Sequence, residues 1–286
     1  MVRLGALMER TIGRPETRVG LIDGPVAMDH PGMATEMIRE ISGGLSGSCA
    51  QTDNAACVHG TFVAGILSGK RDSGAPAICP GCTLLVRPIF PEANSQNGQM
   101  PSATPGELAA AIVDCVAAGA QVVNLSLALA EPSARGNREL DEAFEHAMRR
   151  GVLVVAAAGN QGTVGGTAIT HHPWVIPVVA CDLWGRPTSN SNLGRSIGRR
   201  GLGAPGEGIT SLGASGEPVR SGGTSVSAPF VTGAIALLWS EFPAATAAQV
   251  KLAITQLPAP RRATIVPPLL NAEAAYQSLH TTRAKT

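Results

Sequence analysis

The sequence predicts an α/β protein, a doubly wound, mostly parallel sheet flanked by helices in a single domain spanning residues 1–286. Two observations carry that expectation. Short runs of nearly continuous apolar, β-branched residues alternate with longer stretches of helical periodicity, as strands buried on both faces and joined by helical crossovers require. No internal repeat, charge block or low-complexity linker divides the chain, and a composition 44% hydrophobic and 15% charged over 286 residues can bury one large core.

Taken in chain order, residues 1–17 are read as an N-terminal extension, and RVGLI (18–22) as the first strand. HGTFVAGILSG, opening at His59, places Phe62, Val63, Ile66 and Leu67 at helical spacing. TLLVRPIF (83–90) is a strand, GELAAAIVDCVAAG (106–119) a helix and QVVNLSL (121–127) a strand. NRELDEAFEHAMRRG (137–151) is a helix, each of the two helices being stopped by glycine. GVLVVAAA (151–158) and WVIPVVA (174–180) complete the strands. The glycine-rich stretch 192–223 reads as loops wrapping a site, and helices are expected over 225–240 and 247–257, the last ended by Pro258. Residues 280–286 are expected to form a disordered tail.

A net charge of +1, without basic clusters, and aromatics at only 3% argue against a nucleic-acid surface. No run of about 18 apolar residues exists to span a bilayer, and Arg3 interrupts the one apolar stretch at the start, so no membrane partner and a cytoplasmic location are expected. Six cysteines are consistent with free buried thiols, above all Cys115 and Cys181 inside apolar segments. Cys49 with Cys57, and Cys79 with Cys82 in CPGC, leave local disulfides open. A zinc site is disfavoured because only one pair has finger-like spacing. Asp53 and Asn54 lie in a polar loop without calcium-ligand spacing, so no metal and no cofactor is expected.

Ligands of such sheets bind beyond the carboxyl ends of the strands. Asp23 follows the first strand directly, Asn160 follows VLVVAAAG, His59 opens a helix, and Ser225 opens the long apolar helix after GGT. A serine hydroxyl needs a base to become a nucleophile, and that base needs a carboxylate to fix its tautomer. Asp23, His59 and Ser225 supply one of each, in one of the three chain orders in which such triads occur. An oxyanion needs fixed donors, which the Asn160 amide and the Ser225 backbone N–H can provide. Each residue also has a plainer reading: Asp23 and Asn160 as turn residues, His59 as a helix-start residue, Ser225 as a helix cap. His30, His171 and His172 read as loop residues beside prolines, and the tryptophans as core.

HGTFVAG resembles the histidine block of subtilisin-like serine peptidases (the subtilases, peptidase family S8). GGTSVSAPFVTG resembles their serine block, AAAGNQG their oxyanion-hole block, and VNLSLA the strand that pairs with substrate. The likeness runs from about Val19 to about Trp239. It implies catalytic Asp23, His59 and Ser225, with an oxyanion hole of Asn160 and Ser225. It also implies contacts to a peptide substrate along Asn124, Leu125, Ser126, Leu127, Ala128, Ala158, Gly159 and Thr224, Ser126 acting through its backbone. Two positions depart from the family. Asp23 is followed by Gly24 and Pro25 rather than by Ser or Thr and then Gly, and Ala128 replaces a glycine after Ser-Leu, which would narrow the cleft.

LIDGPVAMDHPGM and LLVRPIF resemble, more narrowly, the proteases of cyanobactin-type peptide maturation (the PatA and PatG group), which cut precursor peptides. Their macrocyclase member carries an insertion between Asp and His. Here Asp23 and His59 are 36 residues apart, which favours hydrolysis over cyclisation or transpeptidation; a non-catalytic peptide-binding module is the remaining alternative. Only 22 residues precede Asp23, so folding without a propeptide is expected. Specificity and oligomeric state are not legible.

Overall fold

The computed structural model describes residues 1–92, 103–127, 137–255 and 264–283. Seven parallel strands form the central sheet. They are β1 (Arg18–Asp23), β2 (Ile38–Glu40), β3 (Thr83–Pro88), β4 (Val122–Leu125), β5 (Leu153–Ala157), β6 (Val175–Cys181) and β7 (Leu202–Pro205), in the order β2-β3-β1-β4-β5-β6-β7. β8 (Ile209–Ser211) and β9 (Val219–Ser221) form a separate antiparallel hairpin. The helices are α1 (Gly5–Arg10), α2 (Ala55–Ser68), α3 (Pro105–Ala117), α4 (Arg138–Arg149), α5 (Ala168–His171), α6 (Arg195–Arg200), α7 (Thr224–Glu241), α8 (Ala247–Thr255) and α9 (Ala272–Arg283).

The apolar runs hide a period of two. Val19, Leu21, Val122, Leu153 and Val155 face α2, α7, α8 and α9, whereas Ile22, Val123, Leu125, Val154 and Ala156 face α3 and α4. Each strand therefore serves two cores, which is why the sequence shows no alternation. α7 is buried on nearly every side, with Val226 through Ser240 at 8% exposure or less.

Local chemistry sets the helix ends. α3 starts with a capping box between Thr104 and Glu107, and α4 with an Asn137 cap on the Leu140 N–H. Gly119 and Gly151 follow these two helices at φ +82° and +69°, the left-handed stop the sequence predicts. The N-terminal extension is not a loose arm: α1 lies within it, and Leu7 is 2% exposed in the main core. Residues 280–283 of the expected tail are helical, since α9 continues to Arg283 with Leu279 buried against the same core, and residues 284–286 lie outside the described residues. The helix expected over 247–257 is described through Thr255.

Three further expectations are corrected. α2 begins at Ala55, four residues before His59, because the Asn54 side chain accepts from the Ala56 N–H and caps the helix there. His171 ends α5 instead of lying in a loop. Trp184 is 76% exposed at the tip of the turn after β6, although Trp239 is core as expected. Among the cysteines, Cys49 and Cys57 form a disulfide, while Cys79, Cys82, Cys115 and Cys181 are free and buried. No helix among the described residues is long and apolar enough to cross a membrane.

Candidate active site

The strand order turns at β1: β2 and β3 lie on one side of it, β4 to β7 on the other. The crevice at its carboxyl end is therefore the switch point where α/β sheets bind ligands. Asp23, the last residue of β1, is fully buried there. Its Oδ1 accepts from the Gly24 N–H at 2.7 Å and from His59 Nδ1 at 2.7 Å. A carboxylate only accepts, so Nδ1 carries the proton and Nε2 is left as the basic lone pair. The His59 side chain is 24% exposed. Burial alone would push the imidazole down, but the Asp23 charge and hydrogen bond outweigh it and raise the pKa above 6.5.

Asp23 Oδ2 is buried without a hydrogen-bond partner among the described residues. The residue type at position 24 explains why no neighbouring hydroxyl serves it. A Cβ on Gly24 would overlap the Ala56 carbonyl, so the serine or threonine expected of the family does not fit against this helix. α2 lies equally flush at Gly60, where a Cβ would run into the carbonyls of Gly24 and Pro25, and Thr61 Oγ1 accepts from the Ala27 N–H at 2.9 Å. The Cys49–Cys57 disulfide ties the preceding loop to the first turn of α2, two residues before His59.

Ser225 is the second residue of α7, so its N–H has no intrahelical acceptor. The approach is made by Gly223 at φ +111°, a conformation that favours glycine. Beyond β5, the Asn160 side chain lies against this turn. Its Oδ1 accepts from the Thr224 N–H at 2.9 Å and the Thr224 hydroxyl at 3.0 Å, and that hydroxyl accepts from the Gly159 N–H at 3.1 Å. Because the Thr224 amide can only donate, the atom facing it is the oxygen, and Asn160 Nδ2 is turned away as an available donor on an exposed side chain. α2 and α7, which carry His59 and Ser225, pack against each other. Among the described residues no hydrogen bond joins the Ser225 hydroxyl to His59. Such bonds are commonly long before substrate binds.

The residues expected along a substrate divide sharply. Asn124 and Leu125 are fully buried inside β4, paired with β1 on one side and β5 on the other, and have no backbone left for a ligand. Thr224, fully buried, is spent on Asn160 and Gly159. Ala158 donates its N–H to the Val178 carbonyl, and the Gly159 carbonyl accepts from Asn192. Ser126 and Leu127 follow the end of β4 and are the expected residues placed at the crevice, while Ala128 lies outside the described residues. The Ser126 hydroxyl, which is not expected to meet substrate, donates to the Ser225 carbonyl at 2.8 Å. Thr232, which carries no motif signal in the sequence, belongs to the same hydrogen-bond chain through Asn124.

Cys49, Cys57 and Glu92 are the one cluster of three metal-ligating groups among the described residues. It does not fit a metal, since both sulfurs are joined to each other and the Glu92 carboxylate accepts from the Ala50 and Gln51 N–H groups.

A parallel sheet with a buried acid–imidazole pair at its switch point and a serine at the head of the central helix defines a serine peptidase of the α/β class. Residues 14–262 match the subtilase family (peptidase S8), and the chain belongs to that family. It is 31% identical to subtilisin DY of Bacillus licheniformis over 242 residues, 82% of this chain and 80% of that one. A variant of the protease domain of PatA superposes with a TM-score of 0.85 at 30% identity, covering 94% of this chain and 97% of the other. The prenylagaramide maturation protease PagA superposes with a TM-score of 0.83 at 27% identity, covering 98% and 99%. The protein is a subtilisin-like serine endopeptidase.

Proposed function

We propose that Asp23, His59 and Ser225 form the catalytic triad and that the enzyme cuts a ribosomally made precursor peptide by hydrolysis. The observation that carries the triad is the 2.7 Å Asp23–His59 hydrogen bond at the switch point, which leaves Nε2 basic. Ser225 Oγ attacks the scissile carbonyl and its proton passes to His59 Nε2. The oxyanion is held by Asn160 Nδ2 and the Ser225 N–H. His59 returns the proton to the leaving amine. Water, deprotonated by His59, then releases the acid from the acyl-enzyme and restores Ser225. Asp23 holds the ring and stabilises the imidazolium throughout.

The precursor-peptide substrate is supported by the likeness to PatA and PagA, the latter described as a maturation protease, and hydrolysis rather than cyclisation by the 36-residue separation of Asp23 and His59 in the chain. The peptide is expected to lie extended along Ser126 and Leu127, beyond β4. The test is incubation of a precursor peptide with the wild type and Ser225→Ala, read by mass spectrometry. The expected result is a fragment one water heavier than the corresponding residue sum, formed by the wild type alone. Undiminished cutting by Ser225→Ala would remove the triad, and a product lacking that water would make the enzyme a cyclase.

A further inference from the structure

In a regular helix the carbonyl of residue 225 accepts from the N–H of residue 229. Residue 229 is proline, which has no N–H and whose ring pushes against that carbonyl. The Ser225 carbonyl is satisfied from outside the helix instead, by the Ser126 hydroxyl at 2.8 Å. That hydroxyl accepts from Asn124 Nδ2 at 2.7 Å, and Asn124 Oδ1 accepts from the Thr232 hydroxyl at 2.8 Å. Asn124 and Thr232 are fully buried and Ser126 is 3% exposed. Asn124 sits in register with Leu21 and Val155, both part of the core beneath α7. An amide there is costly unless its groups are paired, and both its oxygen and its nitrogen are.

The geometry points to Ser126 as a positioning residue for Ser225. It supplies the hydrogen bond that Pro229 withholds from the nucleophile's own carbonyl, and Asn124 and Thr232 fix the direction of its hydroxyl. The first turn of α7 is thereby clamped from two sides, by Asn160 on Thr224 and by Ser126 on Ser225. That clamp aims both the Ser225 Oγ and the Ser225 N–H. Ser126 does this without touching the reacting atoms. The inference rests on Ser225 being the nucleophile.

Pro229 provides the discriminating experiment, because replacing it by alanine returns an N–H to the helix and makes the outside donor unnecessary. The rate of fluorophosphonate labelling at Ser225 is measured for the wild type, Ser126→Ala, Pro229→Ala and the double variant. Ser126→Ala should label about tenfold slower, the kinetic equivalent of losing one neutral hydrogen bond, with no shift in the pH at which labelling switches on. In the Pro229→Ala background the same change should cost less than about twofold. Should Ser126→Ala fail to fold, Ser126→Cys, nearly isosteric and a weak donor, takes its place. A wild-type rate for Ser126→Ala, or an undiminished effect in the Pro229→Ala background, overturns the positioning role. A wild type that is not labelled at Ser225 overturns the nucleophile itself, and is thereby told apart.

Discussion

At the scale of single residues, the acid–imidazole pair is supported from one side only. Asp23 Oδ1 holds His59 and the Gly24 N–H, while Oδ2, equally buried, has no hydrogen-bond partner among the described residues. The imidazole therefore depends on the Asp23 charge to keep its pKa above 6.5 against burial. Since the base must be neutral to accept a proton, labelling or turnover should rise with pH through an inflection above 6.5. Asp23→Asn removes the charge and leaves burial unopposed. The inflection should then fall below 6.5 and the plateau drop by about 10⁴, the loss found when another triad's aspartate is made asparagine. An unmoved inflection in that variant would mean that His59 is not the titrating base. Asn160→Ala would be read on the same plateau, and for subtilisin itself, the type case, loss of the equivalent amide costs about 2.7–4 kcal/mol.

At the scale of elements, the sequence is most legible where burial is two-sided and helices end in glycine. β1, β4, β5 and β6 each lie within a residue or two of the ends their apolar runs predict, and α3 and α4 stop where Gly119 and Gly151 require. β2 is invisible in the sequence because it is three residues long at the sheet edge with only Ile38 buried. The β8–β9 hairpin is hidden for a similar reason, having a single fully buried residue, Ser211, which is polar. The start of α2 escapes because a polar cap and a disulfide set it, not an apolar period. Asn124 resembles a substrate residue because sequence cannot say which face of a strand meets α7. The Pro229 signal is visible four residues after Ser225, but its meaning needs the position of Ser126. The disulfide makes its own prediction, since it closes a short loop, separation 8, at the end of α2 that carries His59. A loop of that size corresponds to about 2–3 kcal/mol of chain entropy. Reduction with dithiothreitol should lower the melting temperature by roughly 5 °C. Alkylation should then mark Cys49, the partly exposed sulfur of the pair, and spare the buried thiols, Cys57 with them, while the fold persists. An unchanged melting temperature would show that α2 is held without the bond.

At the scale of the whole molecule, one topological event gathers chemistry from distant sequence. The reversal at β1 puts the ends of β1, β4 and β5 side by side, and α7, packed beneath β4 to β7, brings its first turn to the same edge. Buried and partly buried ionisable groups within this frame also make its stability depend on pH. His59, raised, contributes stability that is complete below about 6.5 and is lost as pH rises through its folded value. Burial pushes Lys251 down to about 8, so its contribution has the opposite slope, a penalty below pH 8 that is relieved toward its unfolded value of about 10.4. Cys115, pushed up by burial to about 12, and Cys181, pushed up to about 11, stay neutral in the fold while the unfolded thiols ionise from about pH 8.5. Their stability is present below that pH and declines above it. Two thiols against one ammonium give a net loss on the alkaline side. Denaturant titrations at pH 7.5 and 10 should show the wild type losing stability, and Cys115→Ala losing about 1–2 kcal/mol less over the same interval. That comparison cancels the constant cost of the cavity the substitution leaves. Equal losses in the two proteins would mean that the Cys115 thiol ionises as readily in the folded core as in the unfolded chain, and that the core on the α3 face admits water.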